Sequence, residues 1–211
     1  MTRNDAPITI GLAIATAVFS AIVLMAGDLS AIAYGAGFVP VRLAGAVLPD
    51  GLPLVVPTWL TPLTATLIHG GIAHLVFNLV MLVYCGRMLE HVLSGGGIAI
   101  LYGVGAYAAA GAQWAFDPVS VAPMIGASGA ISATVGAYAL LFSEQRVKAI
   151  GPVPAGGVHV LWLAAGWISI QLLIGAAGMG GVTVAIGAHV GGFLAGLALA
   201  RPLLLWRYRD A

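Results

Sequence analysis

The side chains that could do chemistry lie in three short stretches of an otherwise apolar sequence. Residues 69–78 read HGGIAHLVFN, the stretch MIGASGAIS contains Ser128, and AIGAHVGGFLAG contains His189. Polar or ionisable groups inside a membrane are rare, because an unpaired one costs several kcal/mol in hydrocarbon. These three stretches are therefore the first candidates for a functional site.

Ser128 and His189 have the chemistry of a nucleophile and its base. A serine becomes nucleophilic when a neutral imidazole can take its proton. Gly126 and Gly129 are predicted to support the site structurally and would let a substrate backbone reach the hydroxyl. Each residue alone also has a packing interpretation, because glycines flank His189 and small-residue runs such as GASG are common in membrane helices. The string GASGA is not the hydrolase G-x-S-x-G elbow, which requires a strand before the serine.

His74 and Asn78 are four residues apart, so they project from one face of a helix. Both can donate hydrogen bonds, as can the backbone N–H of Ser128. Acyl transfer develops an oxyanion that needs such donors in place in a water-poor site. We therefore predict that His74, Asn78 and the Ser128 backbone form an oxyanion site. His69 points partly elsewhere, and we predict that it braces a loop.

The composition indicates that membrane helices position these residues. The 211 residues are 61% hydrophobic and 7% charged, with a mean hydropathy of +1.05, whereas a soluble domain is about 25% charged. A net charge of +1 without a basic patch argues against a nucleic-acid partner. The single cysteine, Cys85, provides neither a disulfide nor a thiol metal site. No carboxylate stands at ligand spacing from the histidines, so we predict no metal or cofactor.

Six apolar stretches are long enough to span a bilayer, which takes about twenty residues. They cover approximately residues 8–26, 62–85, 97–115, 127–143, 158–177 and 182–205. The first stretch is longer than a signal-peptide core of roughly 7–15 residues, so we interpret it as a retained helix. A long, proline-containing loop follows it. Without a repeat or a second domain, the chain is predicted to be a single all-α membrane domain over residues 1–211, a bundle of six transmembrane helices.

The basic residues predict the orientation of this bundle. With the N-terminus inside, only Arg42 lies outside, in the long first loop. The other seven of the eight basic residues are cytoplasmic: Arg3, Arg87, Arg146, Lys148, Arg201, Arg207 and Arg209. The second, fourth and sixth helices then all run inward, which brings His74, Ser128 and His189 into one layer of the outer half.

The three motifs, in this order, resemble the signature of the rhomboid intramembrane serine proteases. The resemblance covers the six-helix core, and the long first loop agrees with it. It implies cleavage of transmembrane protein substrates within the lipid bilayer, near the outer face and beside a small residue. In this reading Ser128 is the nucleophile and His189 the general base and acid. We therefore expect a multi-pass protein of the prokaryotic cell (inner) membrane, and the basic residues predict that both termini are cytoplasmic. The oligomeric state is not readable from the sequence.

Other positions agree with the family pattern or depart from it. Glu90, in GRMLE, resembles a family position with a structural role, although a plain cytoplasmic end-charge fits equally well. Ser132 stands where many members carry an aromatic residue that packs on the catalytic histidine. Leu60 follows Trp59 where many relatives have a Trp-Arg pair. These departures leave open what orients His189.

Two other functions compete with proteolysis. A non-proteolytic rhomboid-like protein that binds client membrane proteins would share the fold, but it would be expected to lack the serine or the histidine. A small transporter or proton channel would show a polar path through both leaflets, whereas these polar groups gather in one half. Labelling by a fluorophosphonate, which requires an activated serine, distinguishes the enzyme from both alternatives.

The orientation is testable by cysteine accessibility in a background without Cys85. Cysteines placed near Pro118 or Gly178 should react with an impermeant thiol reagent applied to intact cells. Cysteines near Lys148 should stay protected until the cells are opened, because the basic residues hold that loop inside. The reverse labelling pattern would contradict the placement of the site in the outer half.

Overall fold

The computed structural model describes residues 6–144, 146–176 and 185–209, and every regular element within them is helical. The α-helices are α1 (Pro7–Ala26), α2 (Leu29–Ala36), α3 (Thr61–Thr64), α4 (Ile72–Phe116), α5 (Ser128–Phe142), α6 (Ala155–Ala176) and α7 (Ile186–Arg207). In these ranges α1, α4, α6 and α7 are long and apolar enough to cross a membrane, and α5 is a shorter apolar helix. The predicted class, an all-α membrane protein, is confirmed.

The longest helix, α4, is two helices joined at a sharp break. Ser94, with φ 71° and ψ 168°, is not helical and divides the 45 residues into segments 72–93 and 95–116. The two ends of α4 lie at the same end of the bundle. His74 lies against Gly126, just before α5, and Phe116 lies beside Gly187 in the first turn of α7. With α4 counted as two segments, six helices among the described residues overlap the six predicted stretches. Because α5 has only 15 residues, the number of membrane-spanning helices stays a prediction.

The prediction of the second helix, over residues 62–85, is wrong about where that helix begins. Residues 61–67 form the short helix α3 and a 3-10 turn, and α4 begins only at Ile72. The chain changes direction at Gly70 and Gly71, where paired glycines interrupt the apolar pattern and helix propensity is low. His69 therefore lies in a connection and not on the helix that carries His74. Some positions used in the predictions lie outside the described residues. They are Arg3, Gly178, residue 177 at the end of the fifth predicted helix, and residues 182–184 at the start of the sixth.

Helices α5 and α7 touch backbone to backbone. A methyl group at Gly192 would overlap the carbonyl oxygen of Gly129, and one at Gly196 would overlap that of Ala133. The contact is reciprocal, because a methyl at Gly136 of α5 would overlap the Phe193 carbonyl of α7. Small residues allow such close helix packing in membranes, where dispersion contacts replace the hydrophobic driving force. This contact holds the first turns of α5 and α7 side by side.

The start of α1 is capped from a distance by Glu90. The helix has no side-chain cap of its own, and Pro7 occupies its first position. The Glu90 carboxylate accepts hydrogen bonds from the backbone N–H of Ile8 at 3.0 Å and of Thr9 at 2.8 Å. The Thr9 hydroxyl donates to the same carboxylate at 2.7 Å. Glu90 is buried, so its contacts are those of a structural residue and not of a solvent-facing end-charge.

A glycine-to-alanine pair tests the α5–α7 contact. Gly192→Ala should lower the unfolding temperature in detergent by several degrees, because overpacking typically costs about 1–3 kcal/mol. Gly166→Ala on α6 is the matched control, because an added methyl there meets nothing within 4 Å. The control should be neutral or slightly stabilising, since alanine is the better helix former. Equal unfolding temperatures for Gly192→Ala and the unmodified protein would contradict the close contact.

Candidate active site

The bundle brings Ser128 and His189 into direct hydrogen-bonding contact, although they are 61 residues apart. Ser128 is the first residue of α5, and His189 lies in the first turn of α7. The Ser128 Oγ and His189 Nε2 atoms are 2.8 Å apart. This distance lies within the range for proton transfer between a nucleophile and a base.

The other ring nitrogen of His189 contacts a residue that the sequence analysis missed. The side-chain oxygen of Gln171, on α6, lies 2.7 Å from His189 Nδ1. The signal was present in the sequence as the only glutamine in the apolar stretch predicted for the fifth helix. Sequence alone did not say which helix face carried it. Ser132 replaces the aromatic residue that packs on this histidine in many family members. The structure shows that Gln171 contacts the His189 ring instead.

Trp167, one turn before Gln171, also reaches α7. Its indole N–H donates to the backbone carbonyl of His189 at 3.2 Å. The ring stacks on Phe193 with a centroid separation of 4.9 Å and an interplanar angle of 8°. One face of α6 therefore contacts both the side chain and the backbone of His189.

The first turn of α7 is also held from α4. The helix lacks a side-chain cap from its own sequence, and the first turn of any helix has N–H groups without intrahelical partners. The side-chain oxygen of Gln113 accepts one of these hydrogen bonds, from the N–H of Ala188 at 3.2 Å. Ala188 directly precedes His189, so this bond restrains the backbone next to the candidate base. Gln113 is a second residue that the sequence analysis did not identify.

His74 lies beside the turn that leads into α5. Its Nδ1 accepts a hydrogen bond from the Gly70 N–H at 3.4 Å, so in the neutral ring the proton sits on Nε2, which is a donor. Gly126 packs directly on this ring. A methyl at Gly126 would come within 2.6 Å of His74 Cε1 and 2.7 Å of Nε2. Gly126 also has φ +107°, a conformation that strongly favours glycine.

The glycines beside Ser128 pack closely against neighbouring protein atoms. At Gly126, the space that a methyl group would take is filled by the His74 ring. A methyl at Gly129 would lie 2.6 Å from Cβ of Ala109 and 3.8 Å from Cβ of Ala188. Both glycines therefore make room for protein atoms, which agrees with the structural support expected of them. Access of a substrate backbone to the Ser128 hydroxyl stays a prediction.

Asn78 is buried one turn after His74 on the same helix face. Its amide nitrogen donates to the His74 carbonyl at 2.9 Å, which leaves a second amide hydrogen on that nitrogen. The Ser128 N–H is at the N-terminus of α5, where backbone donors lack intrahelical partners. The structure thus places the predicted donors on α4 and on the start of α5, with His74 adjoining the turn before Ser128.

His69 is fully buried and connects three parts of the chain. Its Nε2 accepts a hydrogen bond from the Ala127 N–H at 3.3 Å, so its Nδ1 donates to the Ser20 hydroxyl of α1 at 2.8 Å. The Ser20 hydroxyl in turn donates to the Leu67 carbonyl at 2.8 Å. The ring also meets that of His74 edge-on, with centroids 4.9 Å apart. His69 thereby restrains the residue before Ser128.

Two other serines could compete with Ser128 as nucleophiles, but both are engaged elsewhere. Ser132 donates to the Ser128 carbonyl at 2.8 Å. Ser143, at the opposite end of α5, lies 2.9 Å from His159 Nε2 and also donates to the Ala139 carbonyl. The Ser143 hydroxyl therefore has an acceptor on its own helix, and its contact with His159 ties the end of α5 to α6.

Backbone hydrogen bonds hold the segment before Ser128 against earlier parts of the chain. Phe38, in the first loop, exchanges two backbone hydrogen bonds with Met124, at 3.0 and 2.7 Å. The Gly126 N–H donates to the Ala65 carbonyl at 2.9 Å. The approach to the serine is therefore restrained by pairing with the first loop and with the residues just before α4.

The fold and site define an all-helical membrane protein in which a serine and a histidine meet between two helices. A family model described as the Rhomboid domain matches residues 57–206. Rhomboid-related protein 2 of Mus musculus is 31% identical over 145 residues, covering 63% of this chain and 44% of the relative. Rhomboid protease GlpG of Serratia proteamaculans is 33% identical over 135 residues, with coverages of 63% and 44%. Rhomboid protease GluP of Bacillus subtilis is 28% identical over 144 residues, with coverages of 68% and 27%.

This chain belongs to the rhomboid family, as its motifs predicted. It spans less than half the length of each of these three relatives.

Alanine variants separate the proposed oxyanion donors from the bracing histidine. His74→Ala and Asn78→Ala should lower kcat with little change in KM, because the oxyanion exists only in the transition state. Loss of one such donor typically costs about 10²–10³ in kcat. His69→Ala should chiefly lower the unfolding temperature, because its bonds to Ser20 and Ala127 are structural. Increases in KM alone for His74→Ala and Asn78→Ala would contradict the oxyanion assignment.

Proposed function

We propose that this protein is an intramembrane serine endopeptidase that cleaves transmembrane segments through a Ser128–His189 dyad. The observation that carries the proposal is the 2.8 Å separation of Ser128 Oγ and His189 Nε2. Membership of the rhomboid family supports it, because the names of relatives such as GlpG and GluP describe them as proteases. Fluorophosphonate reactivity and substrate cleavage test it directly.

The first chemical step forms an acyl-enzyme. Ser128 Oγ attacks the carbonyl carbon of the scissile peptide bond while its proton passes to His189 Nε2. The carbonyl oxygen becomes an oxyanion, which accepts hydrogen bonds from the Ser128 N–H, His74 and Asn78. Collapse of this intermediate breaks the C–N bond, and the proton on Nε2 passes to the leaving amine nitrogen.

Hydrolysis of the acyl-enzyme repeats these steps with water in place of the serine. His189 Nε2 takes a proton from a water molecule as the water oxygen attacks the ester carbonyl. The tetrahedral intermediate again places its charge in the donor site. Breakage of the C–O bond returns the proton to Ser128 Oγ and releases the new carboxyl end, so the enzyme is regenerated without a cofactor.

The position of the cut is inferred from where the dyad lies in the bundle, and the substrate class from the resemblance to the rhomboid proteases. Ser128 and His189 are in the first turns of α5 and α7, so an extended substrate segment must enter at that end of the bundle. The basic-residue distribution supports an orientation in which this end is at the outer face of the membrane. We infer that the substrate is a transmembrane helix cut near the outer surface. The resemblance to the rhomboid proteases implies that this helix unwinds there and presents a bond beside a small residue.

Loss of either member of the dyad should abolish proteolysis without preventing membrane insertion. Ser128→Ala removes the nucleophile and His189→Ala removes the base, so cleavage of a model transmembrane substrate should fall to background. Fluorophosphonate labelling should vanish in Ser128→Ala and persist in the control Ser143→Ala. Mass spectrometry of the labelled peptide identifies the modified residue. Cleavage by Ser128→Ala at a rate comparable to the unmodified protein would refute the dyad.

A further inference from the structure

Gln171 is buried, whereas the residues next to it on α6 are exposed. Its exposed fraction is 3%, against 50% for Ile170, 58% for Leu172 and 69% for Leu173. The side chain therefore turns away from the lipid-facing surface and into the bundle. Burying an amide in hydrocarbon is costly unless it is hydrogen-bonded. The partner that the structure provides is His189 Nδ1, at 2.7 Å.

This contact affects which nitrogen of the neutral His189 ring carries the proton. A neutral histidine carries one proton, on either Nδ1 or Nε2. Ser128 can give up its proton only if Nε2 is bare, so the productive form has its proton on Nδ1. The amide oxygen of Gln171 only accepts hydrogen bonds, and it faces Nδ1. A ring with its proton on Nε2 would leave this oxygen opposite a lone pair and would be disfavoured.

We infer that Gln171 is a positioning residue that holds the proton of neutral His189 on Nδ1 and thereby keeps Nε2 available to Ser128. This inference rests on the proposed function. When Nε2 takes the serine proton, the Nδ1–H stays hydrogen-bonded to the Gln171 oxygen, so the interaction persists through the reaction. The amide is neutral and accepts no proton itself. The site is then a Ser–His–Gln arrangement assembled from α5, α7 and α6.

The surroundings of Gln171 keep this geometry in place. Trp167, one turn earlier, bonds the His189 backbone carbonyl and stacks on Phe193. Ser132 bonds the Ser128 carbonyl instead of covering the imidazole. Among the contacts of the described residues, orientation of the His189 ring thus comes from α6 at Nδ1 and from Ser128 at Nε2.

Two substitutions with opposite consequences test the positioning role. Gln171→Leu removes the acceptor, and we expect kcat to fall at least about tenfold with KM nearly unchanged. In serine proteases, an orienting group that selects the wrong tautomer costs up to about 10⁴. Gln171→Glu keeps an acceptor and should retain cleavage. Its acid limb should move to higher pH, because a carboxylate stabilises the protonated imidazole, which cannot accept the serine proton.

Leu172→Met is the matched control, because that side chain faces away from the bundle and the change conserves volume. All variants are compared in one detergent by kcat, KM, pH–rate profile, unfolding temperature and rate of fluorophosphonate labelling. If Gln171→Leu does not fold, the pH–rate profile of Gln171→Glu still tests the positioning role of Gln171. An unshifted acid limb in Gln171→Glu, or an unchanged kcat in folded Gln171→Leu, would overturn the inference.

A parallel measurement on Ser128→Ala separates this inference from the proposed function. If Ser128→Ala still cleaves substrate, the proposed protease mechanism fails and the positioning role fails with it. If Ser128→Ala is inactive while Gln171→Leu cleaves and labels like the unmodified protein, the mechanism stands and only the role of Gln171 is lost. The expected result is an inactive Ser128→Ala, a slowed Gln171→Leu and a pH-shifted Gln171→Glu.

Discussion

The direct backbone contact between α5 and α7 is the constraint on which the site depends. Gly192 lies on the Gly129 carbonyl and Gly196 on the Ala133 carbonyl, so the two helices pack backbone against backbone. Ser128 and His189, in the first turns of these two helices, are then close enough for their side chains to form a hydrogen bond. Any larger residue at these positions would separate the helices and with them the side chains of Ser128 and His189. In lipid such contact is itself a stabilising interaction, because dispersion packing replaces the hydrophobic effect.

Around this contact, buried polar groups are bonded by residues of other helices. Glu90 of α4 caps α1, Gln113 of α4 bonds the first turn of α7, and Gln171 of α6 bonds the His189 ring. Hydrocarbon offers no water to satisfy such groups, so each must find a partner inside the protein. The same bonds that lower the cost of burial also fix the relative positions of the helices.

Two histidines at this end of the bundle have opposite hydrogen-bonding roles, and their neighbours explain the difference. In His74, Nδ1 accepts from the Gly70 N–H, so Nε2 is the donor. In His189, Nδ1 faces the Gln171 oxygen, so Nε2 is the acceptor. One imidazole is therefore suited to stabilise negative charge and the other to accept a proton. Both residues are histidines, and the group beside Nδ1 decides which ring nitrogen donates and which accepts.

The sequence by itself determined the membrane class, the positions of most apolar helices and the family, because hydropathy and short motifs are local properties. It also identified Ser128, His74 and His189 as candidates for a functional site. The tertiary structure alone decided that α4 begins at Ile72, that it breaks at Ser94, and that Gly126 and Gly129 make room for protein atoms. It alone brought Gln171 to His189 across 18 residues and Glu90 to Thr9 across 81. A side chain's partner depends on which helices pack together, and local sequence patterns do not encode those distances.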